Sequence, residues 1–142
     1  MSFGKIRQYL RDRKNTILDE ISVISYVTKP YVEGYGVDPR VVALTDPKSH
    51  ISEQYRSIRT NITSLSPEDP VQAFIVTSSL RGEGKTVTSA NLAMAFSQEV
   101  EKKTILIDAD LRKPNIHRLF NVRKDPGLSD ILSGKMEVDR FL

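Results

Sequence analysis

Ala73-Phe74-Ile75-Val76-Thr77, followed by Ser78-Ser79-Leu80-Arg81-Gly82-Glu83-Gly84-Lys85-Thr86, is the stretch that decides the fold. Its first five residues form a short, nearly continuous apolar run. Such runs suit a strand covered on both faces of a parallel sheet. The next residues hold two glycines and end in Gly-Lys-Thr, close to the phosphate-loop pattern G-x-x-x-x-G-K-[ST]. Ser79 replaces the first glycine of that pattern, and Gly82 is an additional one. Thr86–Gln98 follows, rich in Ala, Leu and Met, and predicts a well-buried helix. A second apolar run, Thr104–Ile107, ends at Asp108. Strand, glycine loop, helix and strand make a βαβ unit with a right-handed connection.

The residue types in the loop match a chemical task. Gly82 and Gly84 let the backbone adopt conformations that a Cβ forbids, so N–H groups can converge on an anion. The helix starting near Lys85 adds the positive end of its dipole. Lys85 supplies a point charge for the terminal phosphates, and Thr86 a hydroxyl for Mg²⁺, which keeps several waters and takes few protein ligands. Asp108 and Asp110 lie just past the carboxyl end of the second strand, where open α/β sheets bind ligands. If that strand continues, both point to one side and can hold a metal's waters or accept a proton from an attacking hydroxyl.

Outward from this core, Ile51, Tyr55, Ile58, Ile62 and Leu65 fall on one face of a helix over 50–66, capped by Ser49 or Ser52. Glu53, Arg56 and Arg59 lie away from that stripe, free to pair with another subunit or to form a solvated charged face. Arg40–Leu44 predicts a short strand. Pro114 marks the start of a short helix with Ile116, Leu119 and Phe120 inward, and Leu128–Leu132 opens another. At the N-terminus, Phe3, Ile6, Leu10, Ile17, Ile21 and Ile24 recur at helical spacing. Lys5, Arg7, Arg11, Arg13 and Lys14 crowd the first positions against one acid, Asp12. This arm either touches an anionic membrane surface or packs on its own domain. Tyr26, Tyr31 and Tyr35 fall in a loop.

The bulk properties fit a soluble globular chain. It has 142 residues, 39% hydrophobic and 27% charged, a net charge of +3 and no cysteine. That charge is too mild to point to nucleic acid. The lack of cysteine excludes disulfides and thiolate metal sites and suits the cytoplasm.

Taken in order, Glu53–Arg59 (EQYRSIR), Ser79–Thr86, Ile105–Pro114 (ILIDADLRKP) and Gly127–Gly134 resemble the bacterial tyrosine kinases, or BY-kinases, of capsule and exopolysaccharide synthesis. The resemblance spans about residues 40–142. It implies an α/β P-loop NTPase fold: a Rossmann-like parallel sheet with flanking helices and a helical N-terminal arm. On this reading residues 1–48 are the basic arm and linker. Residues 49–142 are the first portion of the kinase domain, with 49–66 an oligomerisation helix.

The resemblance further implies an ATP- and Mg²⁺-dependent protein-tyrosine autokinase. Lys85, Asp108 and Asp110 would be catalytic, and Gly82, Glu83, Gly84, Lys85, Thr86 and Val87 would hold the nucleotide. Thr86 and Asp108 would serve the metal, and Glu53, Arg56 and Arg59 would join copies into a ring. A membrane-embedded polysaccharide co-polymerase is the implied activator, with the protein cytoplasmic or peripheral at the inner membrane face. The family's Walker B strand and tyrosine cluster are expected after Gly134 and are not found, so the chain reads as incomplete at its C-terminus. It is therefore expected to bind ATP poorly or be inactive alone. The alternatives are an ATP-gated partitioning switch and an inactive oligomerisation module. Leu80 stands where partitioning ATPases carry an extra lysine, which argues against the first.

Overall fold

The computed structural model describes residues 36–66, 68, 71–99 and 104–137. The basic arm up to residue 35, with its helical spacing and its tyrosines, lies outside these residues. Five helices lie among the described residues: α1 (Val42–Thr45), α2 (His50–Ser64), α3 (Lys85–Ser97), α4 (Ile116–Leu119) and α5 (Leu128–Leu132).

α3 is the hub, and α1, α2 and α4 all pack on it. Its sequence is apolar nearly all round, and Ala90, Asn91, Leu92, Met94 and Ala95 are buried. The core joins Val41, Ala43, Ala90, Met94 and Leu119, with Val37, Leu44, Val87, Leu106 and Phe120 packed against it. Leu119 is 1% exposed, so truncating it to alanine is expected to cost about 2–5 kcal/mol.

Residues 40–44 are not the expected strand. Asp38 makes a local turn, its Oδ1 accepting the Arg40 N–H at 2.9 Å. Its carbonyl accepts from Val41 N at 2.9 Å. Pro39, with its fixed φ, follows Asp38 and favours that turn. The apolar residues after it then close α1, where Val41 O accepts from Leu44 and Thr45 N–H, both at 3.0 Å.

α2 forms where its spacing predicts and is capped by Ser49, whose hydroxyl accepts the Ser52 N–H at 3.2 Å. Its buried face is a different matter. Ile51, Ile58 and Leu65 are exposed, at 56%, 41% and 75%. Tyr55 and Ile62 are half-buried. Ser52 is fully buried, with its hydroxyl 3.0 Å from Val42 O and 2.7 Å from Asp46 O. Arg59 donates from Nη1 to Ala95 O at 2.8 Å. The helix is therefore seated by a small hydroxyl and a guanidinium, and its aliphatic ridge faces outward.

The two apolar runs are the second departure. Residues 71–78 and 104–110 carry no assigned strand. Phe74, Ile75 and Ile107 are 44%, 73% and 48% exposed. Phe74 still touches α3, its ring centroid 5.4 Å from that of Phe96. Leu106 reaches the core from the second run. Both runs thus flank α3, as a βαβ unit requires, without a ladder between them among the described residues.

Candidate functional site

The loop joining residue 78 to α3 has the backbone its glycines predict. Gly82 and Gly84 sit at φ +87° and +91°, in the region that L side chains rarely adopt. A Cβ on Gly82 would meet nothing within 4 Å, so the constraint there is torsional and not steric. Gly84 is the N-cap of α3, and its carbonyl accepts the first helical bond, from Thr88 N at 2.8 Å. Lys85 and Thr86 therefore occupy the first turn, where amide donors and the helix dipole favour an anion.

Lys85 is half-buried and folds back along the loop. Its Nζ donates to Ser78 Oγ at 2.6 Å and to Leu80 O at 2.7 Å. An ammonium has three donors, so one remains for a ligand beyond these two contacts. Glu83 turns the other way, and its Oε2 accepts the Leu80 N–H at 2.9 Å. That amide, then the Ser78 hydroxyl, and then the Lys85 charge hold the Glu83 carboxyl below the usual carboxylate range. Ser78 lies one residue before the matched pattern, where the pattern specifies no residue type.

Asp108 and Asp110 are not two acids on one continuing strand. The chain turns immediately after Ile107. Asp108 Oδ1 accepts from Asp110 N at 3.1 Å, and its Oδ2 accepts from Asn115 N and Ile116 N at 2.8 and 3.0 Å. The carboxylate thus ties the end of the second apolar run to the start of α4. Asp110 Oδ1 accepts the Arg112 and Lys113 amides at 3.2 and 3.0 Å. Both acids organise the 108–116 loop. No cluster of three or more metal-ligating side chains occurs among the described residues. A Mg²⁺ here would draw most of its oxygens from phosphate and water, with Thr86 the protein hydroxyl at hand.

Glu53, Arg56 and Arg59 lie off the aliphatic ridge as expected, but the arginines are engaged within the chain. Arg56 pairs with Glu53 and donates from Nη2 to Pro47 O at 2.8 Å. The Arg56 guanidinium also lowers the Glu53 pKa. Arg59, besides its bond to Ala95 O, lies with Nε 3.4 Å from Glu99 Oε1, a charge contact without hydrogen-bond geometry.

A residue outside the phosphate-loop pattern, Asn91, holds this site to the rest of the fold. Asn91 is fully buried in mid-α3. Its Oδ1 accepts the Ala43 N–H at 2.9 Å, and its Nδ2 donates to Arg40 O at 2.8 Å and Val87 O at 2.9 Å. A polar residue inside an apolar helix was the available signal, since buried polar groups are kept where they find partners.

Residues 74–133 match the CobQ/CobB/MinD/ParA nucleotide binding domain. Together with the glycine loop, this defines a P-loop nucleotide-binding fold. Within that class the chain is similar to bacterial proteins named tyrosine-protein kinases. It is 45% identical over 107 residues to tyrosine-protein kinase YwqD of Bacillus subtilis (strain 168), covering 75% of this chain and 45% of that protein. It is 33% identical over 101 residues to tyrosine-protein kinase etk of Escherichia coli (strain K12), covering 71% and 14%. With tyrosine-protein kinase wzc of Salmonella typhi the identity is 35% over 99 residues, covering 70% and 14%. The chain thus spans less than half the length of these relatives. No solved structure matches it at a significant level.

Proposed function

We propose that this chain is the nucleotide-binding portion of an ATP- and Mg²⁺-dependent protein-tyrosine autokinase serving capsule or exopolysaccharide synthesis. The observation that carries the proposal is the loop itself: two glycines at positive φ, a helix N-terminus, and a lysine with a donor to spare. The relatives' names supply the reaction class.

The residues fit Mg-ATP in kind. Amides of Gly82 to Val87 would hold the phosphates, Lys85 would balance charge on the terminal phosphoryl group, and Thr86 would bind the metal. Phosphoryl transfer is mostly positioning and charge stabilisation, so few further side chains are needed. Asp108 or Asp110 would accept the tyrosine proton, and Asp108 would reach the metal through water. For that, Asp108 keeps lone pairs beyond the three amides it already accepts.

Oligomerisation through Glu53, Arg56 and Arg59 would require Arg56 or Arg59 to exchange an internal partner for one on a neighbouring copy. The basic arm would bring the protein to the inner membrane face and its membrane-embedded activator. No helix among the described residues is long and apolar enough to cross a membrane.

Phosphotyrosine on the protein in cells expressing its own gene, lost on Lys85→Met, is the expected result. Retained Mg-ATP binding with no phosphotyrosine in either version would move the reading to an ATP-gated switch.

A further inference from the structure

A glycine-rich phosphate loop carries an inherent difficulty. The glycines that let amides converge also widen the set of conformations available without ligand. Ordering such a loop at the moment of binding lowers affinity, and a loop already ordered avoids that loss. In this chain Gly82 and Gly84 both lie at positive φ, and a Cβ on Gly82 would contact nothing. Packing therefore does not hold the top of the loop.

Two links from charged side chains cross it instead, beside a bond from Ser78 Oγ to Leu80 O at 3.0 Å. One is Lys85 Nζ to Ser78 Oγ and Leu80 O, made by the residue assigned above to the terminal phosphate. The other is Glu83 Oε2 to Leu80 N at 2.9 Å, made by a residue that the phosphate-loop pattern leaves unspecified. Both links meet at Leu80, whose carbonyl serves the first and whose amide serves the second. The Leu80 side chain is 68% exposed, so its backbone and not its burial fixes its place. A bond from an ionised carboxylate to an amide is of the stronger kind. The span it closes, Leu80 to Glu83, contains Gly82.

We propose that Glu83 is a positioning residue of the nucleotide site: its carboxylate is a strut that holds the 80–83 turn closed, so that the amides after it are aimed before nucleotide arrives. The inference rests on the nucleotide reading of the loop. It assigns Glu83 a role through its side-chain acceptor, distinct from the backbone amide it lends to phosphate. The carboxylate's charge strengthens that bond, and beside a polyphosphate it is at the same time mildly unfavourable.

The test separates acceptor from charge in the full chain. Mg-ATP affinity is measured by calorimetry for the wild type, Glu83→Gln and Glu83→Ala. Exchange of the Leu80 amide with solvent deuterium is measured without ligand. Glu83→Gln keeps an acceptor oxygen and is expected to bind as well as wild type or up to about threefold tighter, while Glu83→Ala binds about three- to tenfold more weakly. Leu80 exchange is expected to quicken in Glu83→Ala and to change little in Glu83→Gln. Because Glu83 is exposed, neither change disturbs the core.

Equal affinity in Glu83→Ala and wild type, or unchanged Leu80 exchange in Glu83→Ala, would overturn the strut. So would a Glu83→Gln affinity as low as that of Glu83→Ala, which would make the charge the agent. A wild type that shows no Mg-ATP binding would overturn the nucleotide reading along with the proposal. Binding by the wild type that is indifferent to Glu83→Ala overturns the proposal alone.

Discussion

The helical layer around α3 and the two apolar runs that flank it have similar hydrophobic content and opposite fates. In the layer, Val41, Ala43, Ala90, Met94 and Leu119 are buried. In the runs, Phe74, Ile75 and Ile107 remain substantially exposed. A helix satisfies its backbone within its own segment and needs neighbours only for its side chains. A strand needs neighbours for both. Apolar sequence alone therefore buries a helix more readily than a strand, and polar pins do much of the fastening here. Asn91 joins α3 to the backbone of residues 40 and 43, Ser52 joins α2 to Val42 and Asp46, and Arg59 joins α2 to the end of α3.

The comparison can be broken at the pins. Asn91→Leu should have the largest effect, because it leaves a buried Ala43 amide and the Arg40 carbonyl without their partner. A loss of about 3 kcal/mol in denaturant unfolding is expected. A loss below about 1 kcal/mol would mean that apolar packing alone holds the layer. Arg59→Ala comes next, at about 1–2 kcal/mol, since it removes the bond to Ala95 O and the charge contact with Glu99. An indifferent stability would show that α2 is held through its other contacts, Ser52 foremost.

It can be sharpened at the apolar residues that lie outside. Ile75→Ser and, on the α2 ridge, Ile58→Ser should each change stability by no more than about 0.5 kcal/mol. A loss above about 2 kcal/mol at Ile75 would reveal a strand pairing in solution that the described residues do not contain. The smallest effect is at the start of α1. Arg40, by its side-chain bond first, lowers the Asp38 pKa from its ordinary 3.8 to about 2. Asp38 therefore adds stability that is complete above its ordinary pKa and fades as the pH falls through about 2. In Asp38→Asn, the part of the stability loss between about pH 4 and pH 2 that belongs to this carboxyl should vanish from an acid titration.

What could be read in the sequence was local. The glycine loop, the Ser49 cap, α3 and α5 are written in spacings of a few residues, and the structure repeats them within a residue or two. What could not be read depends on partners far along the chain. Asn91 finds Ala43 and Arg40 about fifty positions away. The aliphatic periodicity of α2 marks the helix but not the face it buries, because a small serine lets α1 and its loop approach on the other side. Residues 40–44 read as a strand because four apolar residues in a row carry no period. The Asp38 turn then decided for a helix. At the site, the positions of Lys85 and Thr86 followed from pattern. The folding of Asp108 onto the start of α4 did not, since nothing in the spacing of two acids shows which amides they will meet.

The account turns on whether the 78–86 loop receives a nucleotide's phosphates. A titration of the ¹⁵N-labelled chain with Mg-ATP, followed by amide chemical shifts, asks this residue by residue. The largest shifts are expected at Gly82 to Val87, saturating together, and lost in Lys85→Met. Shifts confined to other residues, or none at millimolar nucleotide, would contradict it.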